Sequence, residues 1–287
     1  MNTLAIDIGG TKIALGLVIG GELKERTQIP TPKVRSAEQF AKAIVDECHH
    51  WLSRVDCIGV STTGLVTSEG ITAINPDTLS FPAPFPLHHA LGALTTLAVY
   101  MLNDAQAAAW FEFLQLDDSI QNMAYITVST GVGGGLVLNR QLHKGANNFA
   151  GHIGHMVIDQ NGHECGCGQK GCVEAIASGT AINKVAKNVI SPDITNIELF
   201  SMASNNAQAK SIIQSSAKAI ATLCCNLKAS LDLDIIVLGG GVGLAEGYLS
   251  RVQNEIDNRP APFRVGVVAA NGSHDACLLG AAHQFTE

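Results

Sequence analysis

The order of apolar runs and glycine turns is repeated along this chain. Residues 4–8 (LAIDI) and 13–19 (IALGLVI) are short apolar runs separated by the turn GGTK, and a second glycine turn precedes a third run, ELKE. The same order returns at 124–142, where AYITV, STGVGGG, LVLN and RQL follow one another. Both segments predict a meander of β-strands joined by glycine turns. The repeat therefore indicates an internal duplication within an α/β fold.

Periodic patterns elsewhere predict further helices and strands. Helices are expected at 36–53, directly after Asp104, and at 174–188, 206–231 and 274–285; strands are expected near 56–61, 97–102 and 234–238. The proline-rich segment 76–86 predicts a loop. We expect two α/β domains that flank a cleft with both glycine turns directed into it. Residues 1–115, joined by a C-terminal helix at 272–287, would form the first domain, and 116–271 the larger second one.

Composition narrows the class of protein. A length of 287 residues with 46% apolar side chains favours two compact domains. A net charge of −7 without a dense Lys/Arg block argues against a nucleic-acid partner. No apolar run is long enough to span a bilayer, and MNTLAIDIGG lacks the basic start of a secretion signal. We therefore expect a protein of the cytoplasm with no membrane partner, in which the cysteines outside the motif described next are buried thiols.

A cysteine-rich segment has the spacing of a metal site. His155, Cys165, Cys167 and Cys172 follow the pattern H-x9-C-x-C-x4-C. One imidazole and three thiolates form the ligand set of a closed, structural Zn²⁺ site, with no position left for a catalytic water. The alternative is a cluster of free thiols or a redox pair. The spacing favours zinc that holds a binding loop in shape.

Two glycine turns are candidates for phosphate binding. Backbone N–H groups approach phosphate oxygens closely where no Cβ intervenes. Neither turn is a Walker A loop, and each alone is also what a tight hairpin uses. Their duplication supports the phosphate interpretation, with Asp7 placed to hold Mg²⁺ through water. The candidate residues are Asp7, Gly9, Gly10, Thr11 and Lys12 in the first repeat, and Thr130, Gly131 and Gly133 in the second.

A carboxylate follows a predicted strand at the edge where α/β proteins bind ligands. Asn103 and Asp104 come directly after LAVYML and before the alanine-rich segment AQAAAWFEFL. The carboxyl end of a strand is the usual location of ligand contacts. Asp104 could equally be the cap of the following helix. The residues alone leave both interpretations open.

The motifs together resemble those of the ROK family of sugar kinases. The matching segments are DIGGTK at 7–12, STGVGGG at 129–135, G-x-x-G-H at 151–155, C-x-C-G-x-x-G-C-x-E at 165–174 and LGGG at 238–241. They occur in the family's order and cover essentially the whole chain. The resemblance implies an actin-like ATPase fold with two duplicated α/β domains and a structural zinc loop. It also implies that Mg·ATP and a hexose meet in the cleft.

The resemblance implies a role for each matching residue. Asp104 matches the catalytic base, which takes the proton of the sugar 6-hydroxyl as it attacks the γ-phosphate. His155 matches a residue with one ring nitrogen on zinc and the other toward the sugar. The implied sugar contacts are Gly64, Asn75, Asn103, His155 and Glu174. The implied nucleotide contacts are Gly10, Thr11, Thr130 and Gly131 at the phosphates, and Gly239, Gly240 and Gly241 near adenosine.

One position departs from the common family pattern. Most sugar kinases of the family have G-E-x-G-H, whereas this chain has His152 in place of the glutamate. A carboxylate accepts two hydrogen bonds, while a neutral imidazole donates one and accepts one. An acetamido group at C2 supplies both an acceptor and a donor, and GHIGH looks like the loop of family members that act on N-acetylmannosamine. We therefore expect His152 to contact N-acetylmannosamine, unless it only packs in the loop or is a spare metal ligand.

Other functions within the family are the alternatives. A glucokinase or an N-acetylglucosamine kinase would use the same motifs. A sugar-responsive regulator without catalysis would carry an N-terminal helix-turn-helix module, and the first strand, beginning near Leu4, leaves no room for one. Members of the family are commonly dimers or tetramers, and from this resemblance we expect a homodimer.

Overall fold

The computed structural model describes residues 1–74, 79, 81–271 and 274–284. The chain forms two compact units. Unit 1 contains Met1–Leu114, Lys144–Phe149 and the C-terminal segment; unit 2 contains Gln115–His143 and the described residues from 150 to 271. Lys144–Phe149, predicted as part of the second domain, group with unit 1, and Gln115, predicted as the end of the first domain, groups with unit 2.

Unit 1 is built on a five-stranded mixed sheet with the order β3-β2-β1-β4-β7. The first three strands form the antiparallel meander predicted from the glycine turns, and β4 and β7 continue parallel to β1. A small hairpin, β5-β6, and α2 were not predicted. The elements are β1 (Thr3–Ile8), β2 (Lys12–Ile19), β3 (Glu22–Pro30), α1 (Ala37–Cys48), β4 (Cys57–Thr62), β5 (Leu65–Thr67), β6 (Gly70–Thr72), α2 (Leu87–Thr95), β7 (Ala98–Asn103) and α3 (Asp104–Phe113).

Unit 2 repeats this topology, with the sheet order β10-β9-β8-β11-β12. Three antiparallel strands are again followed by two strands parallel to the first. The shared topology confirms the predicted duplication. The elements are β8 (Met123–Val128), β9 (Val132–Leu138), β10 (Gln141–Leu142), α4 (Val173–Ala177), α5 (Gly179–Val189), α6 (Asn196–Ser201), α7 (Ala207–Leu231), β11 (Ile235–Gly239), α8 (Gly240–Gly243), α9 (Tyr248–Asp257) and β12 (Gly266–Ala269); the last helix, α10 (Ala276–His283), belongs to unit 1.

Two predicted helices are interrupted. The helix expected at 36–53 ends at Cys48 and continues as a 3₁₀ turn over His49–Arg54. The helix expected at 174–188 is two helices, because Ser178 is extended and its hydroxyl accepts a hydrogen bond from Ala181 N at 3.1 Å. Serine competes with helix continuation in this way, since its side chain satisfies N–H groups at a new helix start. Because of this break, α5 begins beside the turn that follows β8, which is the second of the two predicted phosphate-binding turns.

Side-chain alternation along β1 explains how the sheet of unit 1 is covered on both faces. Leu4, Ile6 and Ile8 belong to the core that includes Phe40 of α1. Ala5, between them, belongs to a second cluster with Leu278 and Ala282 of α10. Burial of each large side chain contributes roughly 2 kcal/mol. The period of two residues thus directs one face to α1 and the other to α10.

Small residues bring α10 close to the helix that begins with Asp104. A Cβ added to Gly280 would lie 1.8 Å from the carbonyl oxygen of Ala107 in α3, so only glycine permits this approach. The alanine-rich sequence of α3 is buried along most of its length. In unit 2 the β8 side chains Ala124 and Ile126 belong to the same core as the longest helix, α7. Among the described residues, no helix has both the length and the apolar character needed to cross a membrane.

Candidate active site

Three parallel strands of unit 1 end at the same level. The register pairs Ile8 of β1 with Thr62 of β4, and Thr62 with Asn103 of β7. Residues at and just after these positions therefore project from one edge of the sheet. This edge brings together the predicted site residues Asp7 and Asp104.

Asn103 caps α3 and ties it to the neighbouring loop. Its Oδ1 accepts hydrogen bonds from the backbone N of Ala105 (3.0 Å) and Gln106 (3.4 Å). Its Nδ2 donates to the carbonyl oxygen of Gly64 at 2.9 Å. The cap of α3 is thus Asn103, and the alternative that Asp104 serves as the N-cap is wrong. The Asn103 side chain also hydrogen-bonds to the carboxylate of Asp104.

Asp104 is the first residue of α3, and its ionised carboxylate is stabilised by hydrogen bonds from Ala105 N, the Thr63 hydroxyl and the Asn103 side chain. Oδ1 accepts from Ala105 N at 2.8 Å, and Oδ2 accepts from the Thr63 hydroxyl at 3.2 Å. Burial raises the pKa of Asp104 to about 6, and the negative charge of Asp7 adds to this rise. Asp104 is therefore ionised at neutral pH but more basic than an ordinary aspartate, as a general base requires.

Asp7 lies beside the first glycine turn. Its carboxylate accepts a hydrogen bond from the buried Ser61 hydroxyl, and burial raises its pKa. The turn from Gly9 to Lys12 is closed by a hydrogen bond from Gly9 N to Lys12 O at 3.0 Å. The hydroxyl of Thr31 donates to Gly9 O at 2.7 Å. These contacts fix the shape of the predicted phosphate turn.

The other predicted residues at this edge of the sheet differ in how much open space surrounds them. A Cβ on Gly10 would meet nothing within 4 Å, which leaves room for a ligand next to the turn. Thr11 and Lys12 are exposed. Gly64 has φ +98°, and a Cβ there would lie 2.4 Å from Thr72 O, so the loop requires glycine. Asn75 lies outside the described residues.

The four predicted metal ligands converge in unit 2. The ligand atoms of His155, Cys165, Cys167 and Cys172 lie within 4.8 Å of one another. Cys165 Sγ is 3.6 Å from His155 Nδ1, and Cys167 Sγ is 3.7 Å from Cys172 Sγ. A tetrahedral ion with bonds of about 2.3 Å to sulfur and about 2.05 Å to nitrogen separates S from N by about 3.6 Å and S from S by about 3.8 Å. The geometry fits one ion bound by three thiolates and one imidazole.

Glycines bring the loop that carries the four predicted metal ligands into close contact with the β8–β9 hairpin. A Cβ on Gly154 would lie 1.9 Å from Val132 O, and one on Gly151 would lie 2.8 Å from Gly134 O. Within the loop, Gly171 has φ +74°, and its Cβ would meet Asp159 O at 1.5 Å. The two glycines of G-x-x-G-H are thus needed for close backbone contact, which positions His155.

Glu174 connects the metal-binding loop to the turn after β8. It lies in the first turn of α4, where Oε2 accepts a hydrogen bond from Val132 N at 3.0 Å. Its Oε1 lies 3.8 Å from Cys165 Sγ. A Cβ on Gly131 would be 2.5 Å from Oε2, so glycine makes room for the carboxylate. Each carboxylate oxygen accepts two hydrogen bonds, which leaves acceptor positions for a sugar hydroxyl.

His152 is neutral at physiological pH. Burial lowers its pKa, and the neighbouring His155 contributes in the same direction. A neutral imidazole has one donor and one acceptor nitrogen. This agrees with the hydrogen-bonding capacity on which the expectation for an acetamido group depends.

The second glycine turn consists of Ser129, Thr130 and Gly131. It is closed by a hydrogen bond from Ser129 N to Gly131 O at 2.9 Å. The start of α5 supports it: Gly179 N donates to Ser129 O at 2.7 Å, and the Thr180 hydroxyl donates to Thr130 O at 2.9 Å. Gly133 lies beyond the turn, within β9, where it pairs with Thr127.

A cavity of about 1020 Å³ opens beside this turn. Its walls include the predicted residues Thr130 and Gly241, and at its edge Ile197 is 83% exposed. An isoleucine held in water at the rim of a pocket offers an apolar surface to a flat ring such as a nucleobase. The further lining residues, which the sequence analysis missed, include Thr180, Asn183, Lys184, Lys187, Asn196 and Phe200.

The predicted LGGG segment forms part of this region. Gly240 has φ +83°, and a Cβ there would lie 2.4 Å from Val128 O. A Cβ on Gly239 would lie 2.6 Å from the Tyr125 hydroxyl, whereas one on Gly241 would meet nothing within 4 Å. Gly239 and Gly240 therefore serve close packing behind the cavity, and Gly241 borders the open space. The three glycines have different roles although they are adjacent.

The sequence profile of the ROK family matches residues 3–287. The chain belongs to the ROK family. This ROK protein is 65% identical over 289 residues to N-acetylmannosamine kinase of Vibrio vulnificus strain CMCP6, covering 100% of this chain and 99% of that relative. It is 42% identical over 283 residues to N-acetylmannosamine kinase of Escherichia coli strain K12 / DH10B, covering 98% and 97% of the two chains.

A solved structure shows the same fold. The ROK hexokinase of Thermus thermophilus superimposes with a TM-score of 0.85 at 31% identity, over 99% of this chain and 97% of that chain. The family and the α/β ATPase fold expected from the motifs are thereby confirmed.

Proposed function

We propose that this ROK protein is an ATP-dependent kinase that phosphorylates the 6-hydroxyl of N-acetylmannosamine, a step in the breakdown of sialic acid. The observation that carries the proposal is its 65% identity, over the whole chain, to N-acetylmannosamine kinase of Vibrio vulnificus. The retained carboxylate of Asp104, with its pKa raised to about 6, supports a kinase with catalytic activity.

Asp104 is the residue to which we assign the proton transfer. Its two oxygens together accept about four hydrogen bonds, so an acceptor position remains beyond the donors Ala105 N, Thr63 Oγ1 and the Asn103 side chain. Oδ1 or Oδ2 would accept the proton of the sugar 6-hydroxyl as that oxygen attacks the γ-phosphate. A carboxylate with a pKa near 6 is a stronger base than one near 4, yet it stays mostly unprotonated at neutral pH.

The nucleotide contacts belong to the two glycine turns and the cavity. The Gly9–Lys12 turn and the Ser129–Gly131 turn supply backbone N–H groups to phosphate oxygens, because neither Gly10 nor Gly131 carries a Cβ. Ile197 supports the proposal that adenosine occupies the cavity, because the side chain offers an apolar contact to the base. Mg²⁺ would neutralise the phosphates when bound, with Asp7 as its protein anchor through water.

We assign the Cys₃His set to structural Zn²⁺. The residues that would hold the ion are His155, through Nδ1, and Cys165, Cys167 and Cys172. The four ligands complete a tetrahedron, so the ion would stabilise the loop and supply no reactive water. The Nε2 atom of His155 and the carboxylate of Glu174 would then be presented to the sugar hydroxyls.

His152 is the residue to which we assign the choice of an N-acetylated sugar. Its neutral imidazole matches the paired donor and acceptor of an acetamido group better than the two vicinal hydroxyls of glucose. The proposed selectivity for N-acetylated sugars thus depends on one side chain.

The test is an ADP-release assay with Mg·ATP and N-acetylmannosamine, N-acetylglucosamine, mannose or glucose. We expect the highest kcat/KM with N-acetylmannosamine and a shift toward glucose in His152→Glu. His163→Glu, an exposed position in the same loop, is the matched control and should keep the wild-type ranking. Activity on glucose alone would leave a sugar kinase and reject the substrate, and inactivity with all four sugars would reject the kinase assignment.

Two further assignments accompany the function. We propose a homodimer, as the family resemblance implies, and light scattering of the purified protein tests this. We also propose a cytoplasmic location, which the free thiols of the five cysteines outside the Cys₃His set support. Cell fractionation tests this location.

A further inference from the structure

The threonine that follows β4 has no role in the chemistry assigned so far. Thr63 comes directly after the strand, between the buried Thr62 and the left-handed Gly64. Its hydroxyl donates to Asp104 Oδ2 at 3.2 Å. Because Thr62 and Asn103 are register partners at the ends of β4 and β7, Thr63 and Asp104 are the residues that directly follow two adjacent strands. The sheet itself therefore places the hydroxyl next to the carboxylate.

The backbones of these two residues are locked to each other. Asn103 bridges them, since its Nδ2 donates to Gly64 O at 2.9 Å while its Oδ1 caps α3. The loop after β4 and the start of α3 are thus joined on either side of the Thr63–Asp104 hydrogen bond. Within this frame, only the side-chain torsions of Asp104 remain to be fixed.

Two donors are needed to fix the plane of a carboxylate. Ala105 N holds Oδ1, but a single hydrogen bond leaves the group free to turn about its χ2 bond, whose preference is broad. The Thr63 hydroxyl holds the second oxygen, and its own χ1 is restricted because threonine is β-branched. Together they select one orientation of the carboxylate. Catalytic groups must be held within about 0.5 Å and 10–20° of the productive geometry.

We propose that Thr63 is a positioning residue of the phosphoryl transfer, whose hydroxyl holds Asp104 in the orientation that accepts the proton of the sugar hydroxyl. The inference rests on the proposed kinase function and on Asp104 as its base. Thr63 acts through Asp104, so its effect belongs in kcat and not in the binding of either substrate.

The groups around Thr63 and Asp104 set the direction in which loss of the hydroxyl shifts the pKa of Asp104. Asp7 of β1 is the neighbouring carboxylate, and Cys277 of α10 lies close to both Asp7 and Asp104. Farther out, Arg26 and Asp275 form an ion pair at 2.8 Å that acts on Asp7. Against these, hydrogen bonds from Ala105 N, the Thr63 hydroxyl and the Asn103 side chain lower the pKa of Asp104, because each donates to the ionised form. Loss of the hydroxyl should therefore raise the pKa of the base.

The experiment compares Thr63→Val with Thr63→Ser and the wild type in the ADP-release assay from pH 5 to 8. Thr63→Val should lower kcat about 10- to 100-fold, with both KM values within about twofold. Its acidic limb of kcat/KM should move up by about half a pH unit or more, since the base now needs a higher pH to ionise. Thr63→Ser, which keeps the hydroxyl, should stay within about threefold of wild type.

A matched control is available in the same unit. The Thr27 hydroxyl donates to the Glu47 carboxylate at 3.2 Å, the same contact at the surface. Thr27→Val should leave kcat and the pH profile unchanged. Should Thr63→Val fail to fold, as judged by urea unfolding, Thr63→Ala removes the same hydroxyl without adding an apolar branch.

The outcomes separate this inference from the proposed function. An inactive wild type would reject the function itself. An active wild type with an unchanged kcat in Thr63→Val would overturn the positioning role alone. A lower kcat with an unmoved acidic limb, or without recovery in Thr63→Ser, would assign Thr63 to loop packing and also reject the inference.

Discussion

Replacement of Asp104 by asparagine should remove turnover and at the same time stabilise the protein more at high pH than at low pH. Burial, with the charge of Asp7, raises the pKa of Asp104 from the ordinary 3.8 to about 6. A group whose pKa is raised on folding favours the folded state when protonated, and this stability is lost as the pH rises through the folded pKa. Ionised Asp104 therefore destabilises the fold.

The magnitude follows from the two pKa values. With an unfolded value of 3.8 and a folded value of about 6, the loss of stability relative to acid is about 1.6 kcal/mol at pH 5 and about 3 kcal/mol at pH 8. Asparagine does not titrate and keeps a similar shape. The free energy of unfolding of Asp104→Asn should thus gain about 1.4 kcal/mol on wild type between pH 5 and pH 8.

The assay is urea unfolding followed by tryptophan fluorescence. Both tryptophans of the chain, Trp51 and Trp110, are buried in unit 1, and Trp110 lies in α3 itself. The signal therefore reports the unit that holds Asp104. Comparing the two pH values removes any constant effect of the substitution. Asp193→Asn, at an exposed position in unit 2, is the control and should parallel wild type at both pH values.

The difference in free energy of unfolding between Asp104→Asn and wild type should grow from pH 5 to pH 8. If it stays constant or shrinks, burial does not disfavour the ionised carboxylate. Turnover gives an independent check. Asp104→Asn should lose several orders of magnitude in kcat while it still binds sugar and nucleotide. Near-normal turnover would rule out Asp104 as the base.

The remaining predictions concern unit 2. Cys165→Ser should lose bound zinc, measured by plasma emission spectrometry, and weaken sugar binding more than ATP binding in calorimetry; an unchanged metal content would remove the zinc assignment. Gly154→Ala places a Cβ 1.9 Å from Val132 O, so it should destabilise unit 2 by about 1–3 kcal/mol and raise the KM for sugar. Gly168→Ala, in the same loop, is the comparison, because Gly168 has open space around it and a positive φ, so alanine there adds backbone strain without crowding. Equal effects at both positions would contradict the crowding argument.

Periodicity and turn chemistry determined much of the fold in advance. The repeated order of apolar runs and glycine turns predicted both meanders, because strand pairing between neighbours in sequence needs only local information. The structure agrees at β1–β3 and at β8–β10. Helices whose formation depends on tertiary packing were harder to predict, and α2, α6, α8 and α9 were missed. The break at Ser178 was missed as well, because it depends on a cap that competes with the helix pattern.

The candidate site shows the same division. The ligand spacing of His155 and the three cysteines predicted a cluster of possible metal ligands, and all four do converge, since they lie in one short segment whose turns bring them together. The sequence also placed Asp104 at a strand end, but it could not decide between base and helix cap. Only the packing of β4 beside β7 showed that Asn103 is the cap and that Asp104 is left with Thr63.

What the sequence determined by itself, then, is chemistry that is local along the chain: the glycine turns, the metal ligands and the family motifs. What tertiary structure decided is the pairing of distant residues, such as Thr63 with Asp104 or Glu174 with Val132. The physical reason is that strand register and helix packing bring such residues together through contacts made elsewhere. Burial, which sets the pKa of Asp104, likewise exists only once the sheet and α10 have enclosed it.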